Sequence, residues 1–120
     1  MEERATPLRV AVTRADPSTT VLTVTGEVDV ATTPQLRSML HQFADDASVQ
    51  RIIIDLDGVD FMDSSGLGAL IGCSRRLKMR GHGRELRIVC NRMHLLRVFK
   101  ITGLDRVLLV STSVPEALEA

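Results

Sequence analysis

Short β-branched runs alternate along the chain with longer stretches in which apolar residues recur every three or four positions. LRVAVT (8–13) and TVLTVTG (20–26) flank RADPST, whose Asp16-Pro17 marks a turn, and together they predict an antiparallel hairpin. In TTPQLRSMLHQFADD (32–46), Leu36, Met39, Leu40 and Phe43 fall at i, i+3, i+4 and i+7, which gives a helix one apolar face. Thr32 and Gln35 have capping-box spacing at its start, and Pro34 suits the first turn, where a missing N–H costs nothing. RIIIDL (51–56) is continuously apolar, the pattern of a strand central in a sheet.

A second helix is predicted from Asp63 or Ser64 to about Arg80 with Gly81 as its stop, and Leu67, Leu70, Ile71, Ser74 and Leu77 make its inner stripe. ELRIVC (85–90) reads as a strand, MHLLRVFKITG (93–103) as a helix ended by Gly103, RVLLV (106–110) as a strand and VPEALEA as a terminal helix. The order ββαβαβαβα predicts an α/β fold, a mixed sheet of about five strands with helices packed against it. No linker divides residues 1–120, which read as one domain whose first seven residues, MEERATP, are frayed. In such sheets function collects at the carboxyl ends of the strands. The two loops expected there are GEVD (26–29) and LDGVDFMDSSG (56–66).

Composition narrows the function. With three Phe and no Trp or Tyr, the core must be Val, Ile, Leu and Met, and the shortage of aromatics argues against a platform on which single-stranded nucleic acid would stack. Net charge is zero but divided, −6 over residues 1–63 and +6 over residues 64–120. Two solvated faces of opposite sign, or a surface that steers an oriented partner, both fit that division. The cluster Arg75, Arg76, Lys78, Arg80 and Arg84 is too short to signal nucleic-acid binding. Cys73 and Cys90 lie in apolar segments without CxxC spacing and read as buried free thiols of a reducing compartment. No apolar run approaches the length of a membrane span and no export signal begins the chain, so a cytoplasmic protein without a membrane partner is expected.

The chemistry concentrates in RIIIDLDGVDFMDSSGLGAL (51–70), with four acids, two serines and three glycines. Asp55 and Asp57 have the spacing of the acid loop of haloacid-dehalogenase-type phosphotransferases, nucleophile then general acid. That chemistry also needs a later lysine and an acid pair for magnesium, yet the downstream acids Glu85, Asp105, Glu116 and Glu119 are scattered. SGLG lacks a phosphate-loop pattern, no GxSxG elbow exists, and His41, His82 and His94 lie in unrelated segments. Asp55, Asp57 and Asp60 lack the EF-hand pattern, so no metal or cofactor is implied. Ser64 and Ser65 stand where loop becomes helix, either as caps or as exposed hydroxyls. A helix N-terminus tolerates a phosphate, which there would join Asp57, Asp60 and Asp63 and add about −1.5 to −2 charge.

Three segments carry a family resemblance. VLTVTGEVDVATTPQL, IIIDLDGVDFMDSSGLGALIG and LRVFKITGLDRVL resemble, in order and spacing, the strand-GE[LV]D-helix segment, the D-S-[ST]-G-L-G helix start and the closing helix-turn-strand of bacterial anti-sigma factor antagonists, single-domain STAS proteins. The resemblance implies a switch without catalysis of its own. The unphosphorylated protein binds an anti-sigma factor that is also a serine kinase and so frees the sigma factor. Phosphorylation of one serine ends binding, and a serine/threonine phosphatase restores it. Carried onto this sequence, the acceptor is Ser64, or Ser65 if the helix starts one residue later, with Asp29 expected beside it. The expected partner surface is Glu27, Asp29, Asp60, Met62, Asp63, Ser64, Ser65, Gly66 and Leu67. A scaffold role in a larger stress-signalling assembly and a DxD-type phosphotransferase are the alternatives.

Overall fold

In the computed structural model, which describes residues 7–119, the β-branched runs form a five-stranded mixed sheet. β1 (Arg9–Asp16) and β2 (Thr19–Val28) make the antiparallel hairpin, and the Asp16 carboxylate closes its turn by accepting from the Ser18 N–H (2.9 Å) and hydroxyl (3.1 Å). β3 (Arg51–Met62), β4 (Glu85–Val89) and β5 (Leu109–Ser111) add in parallel, so strand order follows chain order. Parallel neighbours need a crossover. α1 (Thr33–Ala44), α2 (Ser64–Arg80) and the pair α3 (Met93–Thr102) and α4 (Leu104–Val107) provide them. α5 (Val114–Glu119) ends the described fold. Except for Pro7, the segment expected to fray lies outside the described residues.

Both faces of the sheet are covered, which is why residues 51–56 read as continuously apolar. Alternation along the strands sends Leu22, Val24, Ile52, Ile54 and Ile88 to one face, where Leu36 and Leu40 of α1, Leu70 and Leu77 of α2 and Phe99 of α3 meet them. Val21, Ile53 and Val89 point the other way and are closed over by Ala117 of α5. Burying a side chain of this size is worth about 1.5–3 kcal/mol, so the three consecutive isoleucines of β3 anchor both layers. The Arg51 guanidinium donates to the Leu118 carbonyl (2.9 Å), and buried Arg87 donates to the Ala117 carbonyl and the Glu85 carboxylate. Carbonyls left open at the end of a short helix are thereby satisfied.

The structure corrects several expectations. Thr32 stands at the N-cap of α1 but makes no side-chain cap bond there; its hydroxyl donates to the Glu27 carbonyl (2.9 Å), so the capping box with Gln35 does not form. β3 does not stop at Leu56: it continues to Met62, because β2 pairs with it through Thr25–Gly58, Gly26–Val59 and Val28–Met62 across two register shifts. The acid-rich stretch taken for a loop is therefore mostly strand. The segment 106–110 splits, since Gly103 turns the chain with φ +79° into the helical turn α4, and only Leu109–Ser111 pairs with β4. Arg84 leaves the surface cluster and turns inward, donating to the carbonyls of Val49 (2.9 Å), Ala44 (2.9 Å) and Asp46 (3.0 Å).

Gly66, in the first turn of α2, packs closely against the ends of β2 and β3. A Cβ there would stand 2.7 Å from both Met62 Cγ and Val28 Cγ1. Gly66→Ala should therefore destabilise the fold by about 1–3 kcal/mol despite alanine's higher helix propensity. The measurement is the urea midpoint, and an unchanged or raised midpoint would show that Met62 yields freely.

Candidate functional site

Parallel pairing brings the carboxyl ends of β2 and β3 side by side, and the chain leaves each into a helix. The joint is explicit: the Asp63 N–H donates to the Val28 carbonyl (3.0 Å) at the last paired position. The segment after β2 is stitched by Asp29. Its carboxylate accepts from the N–H groups of Ala31 (2.9 Å) and Thr32 (3.0 Å), and its own N–H donates to the Thr32 hydroxyl (2.9 Å). Asp29 is thus a turn-former whose carboxylate is committed within its own loop.

Asp63, not Ser64, is the N-cap of α2. Its backbone is extended, and its carboxylate accepts from the Ser65 N–H (2.9 Å), from the Gly66 N–H (3.4 Å) and from the Ser65 hydroxyl. The Ser65 proton being given to that carboxylate, the buried Thr33 hydroxyl is the donor in the 3.1 Å contact between Thr33 Oγ1 and Ser65 Oγ. This chain of three side chains ties the start of α2 to the start of α1. Ser64 lies outside it: the residue is exposed and its hydroxyl makes no hydrogen bond among the described residues.

The remaining acids have other tasks. Asp55 accepts from the Asp57 N–H (3.0 Å), and the Asp57 carboxylate accepts from the Asn91 N–H (2.7 Å) and side-chain amide (3.0 Å). The Asp55–Asp57 pair is thus engaged in holding the β4–α3 connection. Asp60 extends the same seam, its carboxylate 3.5 Å from Arg92 and its carbonyl 3.0 Å from His94 Nε2. Among the described residues no cluster of three or more His, Cys, Asp or Glu is placed to hold a metal ion. Cys90, like Cys73, is a buried free thiol, and burial pushes the Cys73 thiol up to about 12, which leaves it unreactive at neutral pH.

Of the residues expected to face a partner, Asp60 and Ser64 are exposed and Glu27, Asp29, Asp63 and Ser65 are half-buried around them. Met62, Gly66 and Leu67 are in the core beneath, where they shape the surface without presenting side chains on it. Val30 and Phe61, 76% and 47% exposed, flank the acids with apolar side chains that the sequence reading did not single out. Phe61 pairs with Glu27 across the β2–β3 ladder. The arrangement is an acidic surface with two apolar knobs and one free hydroxyl on a rigid helix start, suited to binding and modification.

Known proteins share this architecture. A family model, the STAS domain, matches residues 10–117. The anti-sigma-B factor antagonist of Bacillus subtilis (strain 168) is 36% identical over 88 residues, 73% of this chain and 77% of that protein. The anti-sigma-B factor antagonist of Staphylococcus aureus (strain NCTC 8325 / PS 47) is 35% identical over 88 residues, 73% of this chain and 79% of that protein. Among solved structures, an anti-sigma factor antagonist from Mycobacterium paratuberculosis superposes with a TM-score of 0.85 at 26% identity, covering 94% of this chain and 92% of that one.

The cap on α2 has a pH signature. The Asp63 carboxyl is held below its ordinary value of 3.8 first by the Ser65 hydroxyl and further by the Ser65 and Gly66 N–H groups. A carboxyl depressed in the folded state stabilises the protein above its unfolded pKa, and that stabilisation is lost as pH falls through the folded value. Asp63→Asn should therefore lower the urea midpoint near neutral pH, and its deficit against wild type should close below about pH 4. A deficit that stays constant down to about pH 3 would mean that the carboxylate charge does not hold the cap.

Proposed function

The chain belongs to the STAS domain family, and on that premise we propose that it is an anti-sigma factor antagonist controlled by phosphorylation of Ser64. In the unphosphorylated state the surface of Asp60, Ser64, Phe61 and Val30 binds an anti-sigma factor that is also a serine kinase, and the sigma factor is released. Transfer of the ATP γ-phosphoryl group to Ser64 Oγ ends the complex, and a serine/threonine phosphatase hydrolyses the phosphoserine to restore binding.

The observation that carries the assignment is the difference between the two serines. The Ser65 hydroxyl is held between Asp63 and Thr33, so phosphorylating it would dismantle the joint of the two helices. Ser64 is exposed, and its Oγ has no hydrogen-bond partner among the described residues. Asp63 already occupies the N–H groups of Ser65 and Gly66, which leaves a Ser64 phosphate poorly placed to fold back onto the helix start. The phosphate instead projects, with about −1.5 to −2 charge, among Asp60 and Asp63. Within a closed interface, that charge loses hydration and meets like charge, which costs several kcal/mol. Each ~1.4 kcal/mol is tenfold in affinity, so the modification separates tight from negligible binding with the fold unchanged.

Incubation with the anti-sigma factor kinase of its own organism and ATP should place one phosphate on the peptide that follows Arg51, at Ser64. Ser64→Ala should bind the kinase as wild type does and accept no phosphate, while Ser64→Asp should bind at least about a hundredfold more weakly by titration calorimetry. Undiminished phosphorylation of Ser64→Ala would move the acceptor elsewhere. Equal binding of Ser64→Asp and wild type would remove the switch.

A further inference from the structure

The far edge of the sheet holds a cavity that takes no part in the site described above. Between α3, α4 and the edge strand β5 opens a cleft of about 660 Å³, a size typical of small-molecule sites. Its floor is buried Phe99 with half-buried Leu96 and Val110. Met93 and Leu109, 65% and 45% exposed, form its apolar walls. α3 returns antiparallel to the strands, so the cleft runs about 10 Å along the helix from Met93 to Lys100.

The two ends of the cleft differ chemically. At the Met93 end the polar groups are already committed. The Asn91 amide donates to the Asp57 carboxylate (3.0 Å) and the Thr112 carbonyl (2.7 Å), while the Thr112 N–H (2.6 Å) and hydroxyl (3.1 Å) donate to the Glu116 carboxylate. At the opposite end Lys100 and Asp105 both line the cleft, yet they pair neither with each other nor with any other charged side chain among the described residues. A cation and an anion that share a cavity and stay apart leave room between them for a group carrying both charges.

The wall beside them adds one donor and one acceptor. β5 is the last strand of the sheet, and the Ser111 carbonyl accepts from the Cys90 N–H (3.0 Å), which turns the backbone groups of Ser111 and Leu109 toward β4. In a parallel ladder the residue between them faces the other way. The N–H and C=O of Val110 therefore point to the open edge, and no other hydrogen bond engages them among the described residues.

We propose that this cleft binds a free α-amino acid with a large apolar side chain. Its carboxylate lies between Lys100 Nζ and the Val110 N–H, and its ammonium between Asp105 and the Val110 C=O. The side chain rests on Leu96 and Phe99 and points toward Met93. Charge decides the class of ligand. A simple carboxylate would satisfy Lys100 but meet Asp105 as a like charge, and an amine would do the reverse. A hydrocarbon would strip water from both charged groups and replace none of it. A zwitterion whose two charges sit on one carbon complements the cation, the anion and the Val110 pair together. Lys100 and Asp105 are exposed, so solvent screens the head-group contacts and the affinity is modest.

Amide-shift titration of the isotope-labelled full chain with L-phenylalanine tests the proposal. Saturable shifts centred on α3 and β5 are expected, with a Kd of about 0.1–3 mM. Glycine, phenylpropionate and L-phenylalaninamide lack the side chain, the ammonium and the carboxylate in turn, and each should bind at least about fivefold more weakly. Lys100→Glu and Asp105→Lys change exposed side chains outside the core. Each should weaken L-phenylalanine binding at least about fivefold while leaving the urea midpoint at the wild-type value. No saturable shift up to about 20 mM L-phenylalanine overturns the proposal. Equal binding of L-phenylalanine and phenylpropionate also overturns it, because the cleft would then select an apolar body without reading the head group. Wild-type affinity in both charge variants counts against it in the same way.

Discussion

The Asp63 carboxylate is the joint on which this molecule's functional end depends. One oxygen satisfies N–H groups that the start of α2 leaves open and holds the Ser65 hydroxyl, through which Thr33 fastens α1. The Asp63 N–H meanwhile closes the β2–β3 ladder at Val28. Two strands and two helices therefore meet at a single residue. A negative charge at this position is also favoured by the helix dipole, so capping and electrostatics act in the same direction. What the joint leaves loose is Ser64. Its hydroxyl is presented by a rigid helix start and makes no hydrogen bond among the described residues, so the proposed modification would leave the joint intact.

The joint holds because of what lies beneath it. β3 is buried on both sides, with Ile52 and Ile54 under the α1–α2 layer and Ile53 under α5. Such a strand cannot slip by one residue without exchanging its two faces. The positions of Asp60, Phe61 and Asp63 are consequently fixed by apolar packing some residues away. The seam on the other side is polar: Asp57 holds Asn91, Asp60 meets Arg92 and His94, and the start of α3 is drawn against the end of β3. The aspartates that resemble catalytic acids in sequence are fasteners between neighbouring loops in space.

Much of this was legible in the residues. Helical periodicity placed α1, α2 and α3 within a residue or two, because three or four apolar positions per helix constrain its phase strongly. The end of β3 was not legible. DGVDFM contains two Asp and a Gly, local turn-formers, and it is strand only because β2 continues beside it, a tertiary effect that local propensity does not report. RVLLV failed for a related reason: a left-handed glycine and one helical turn use up its first residues before β4 is reached. At the site, the DSSG segment drew attention to Asp63 and Ser64, but nearness in sequence to that segment swept in Met62, Gly66 and Leu67. The helical period had already put Leu67 on the inner stripe, and that signal was the better guide. Thr33 was missed because the threonine pair before Pro34 suggested a cap. Val30 and Phe61 were missed because both fell in or beside segments read as loops, where a single apolar residue carries no periodic signal of the face it occupies.

The geometry also changes what a phosphate at Ser64 does. A helix N-terminus ordinarily draws an anion inward onto its free N–H groups, and that settling would soften the effect of the modification on a partner. Here a carboxylate of the chain itself is already in place on the donors of Ser65 and Gly66. The added group is left to hydration, and any partner that closes over Ser64 must strip that hydration away beside Asp60 and Asp63. In the proposed switch the discriminating energy would thus arise from the acids that crowd the site. Neutralising them would weaken the switch even with Ser64 intact, since the phosphate would then enter the interface against less like charge.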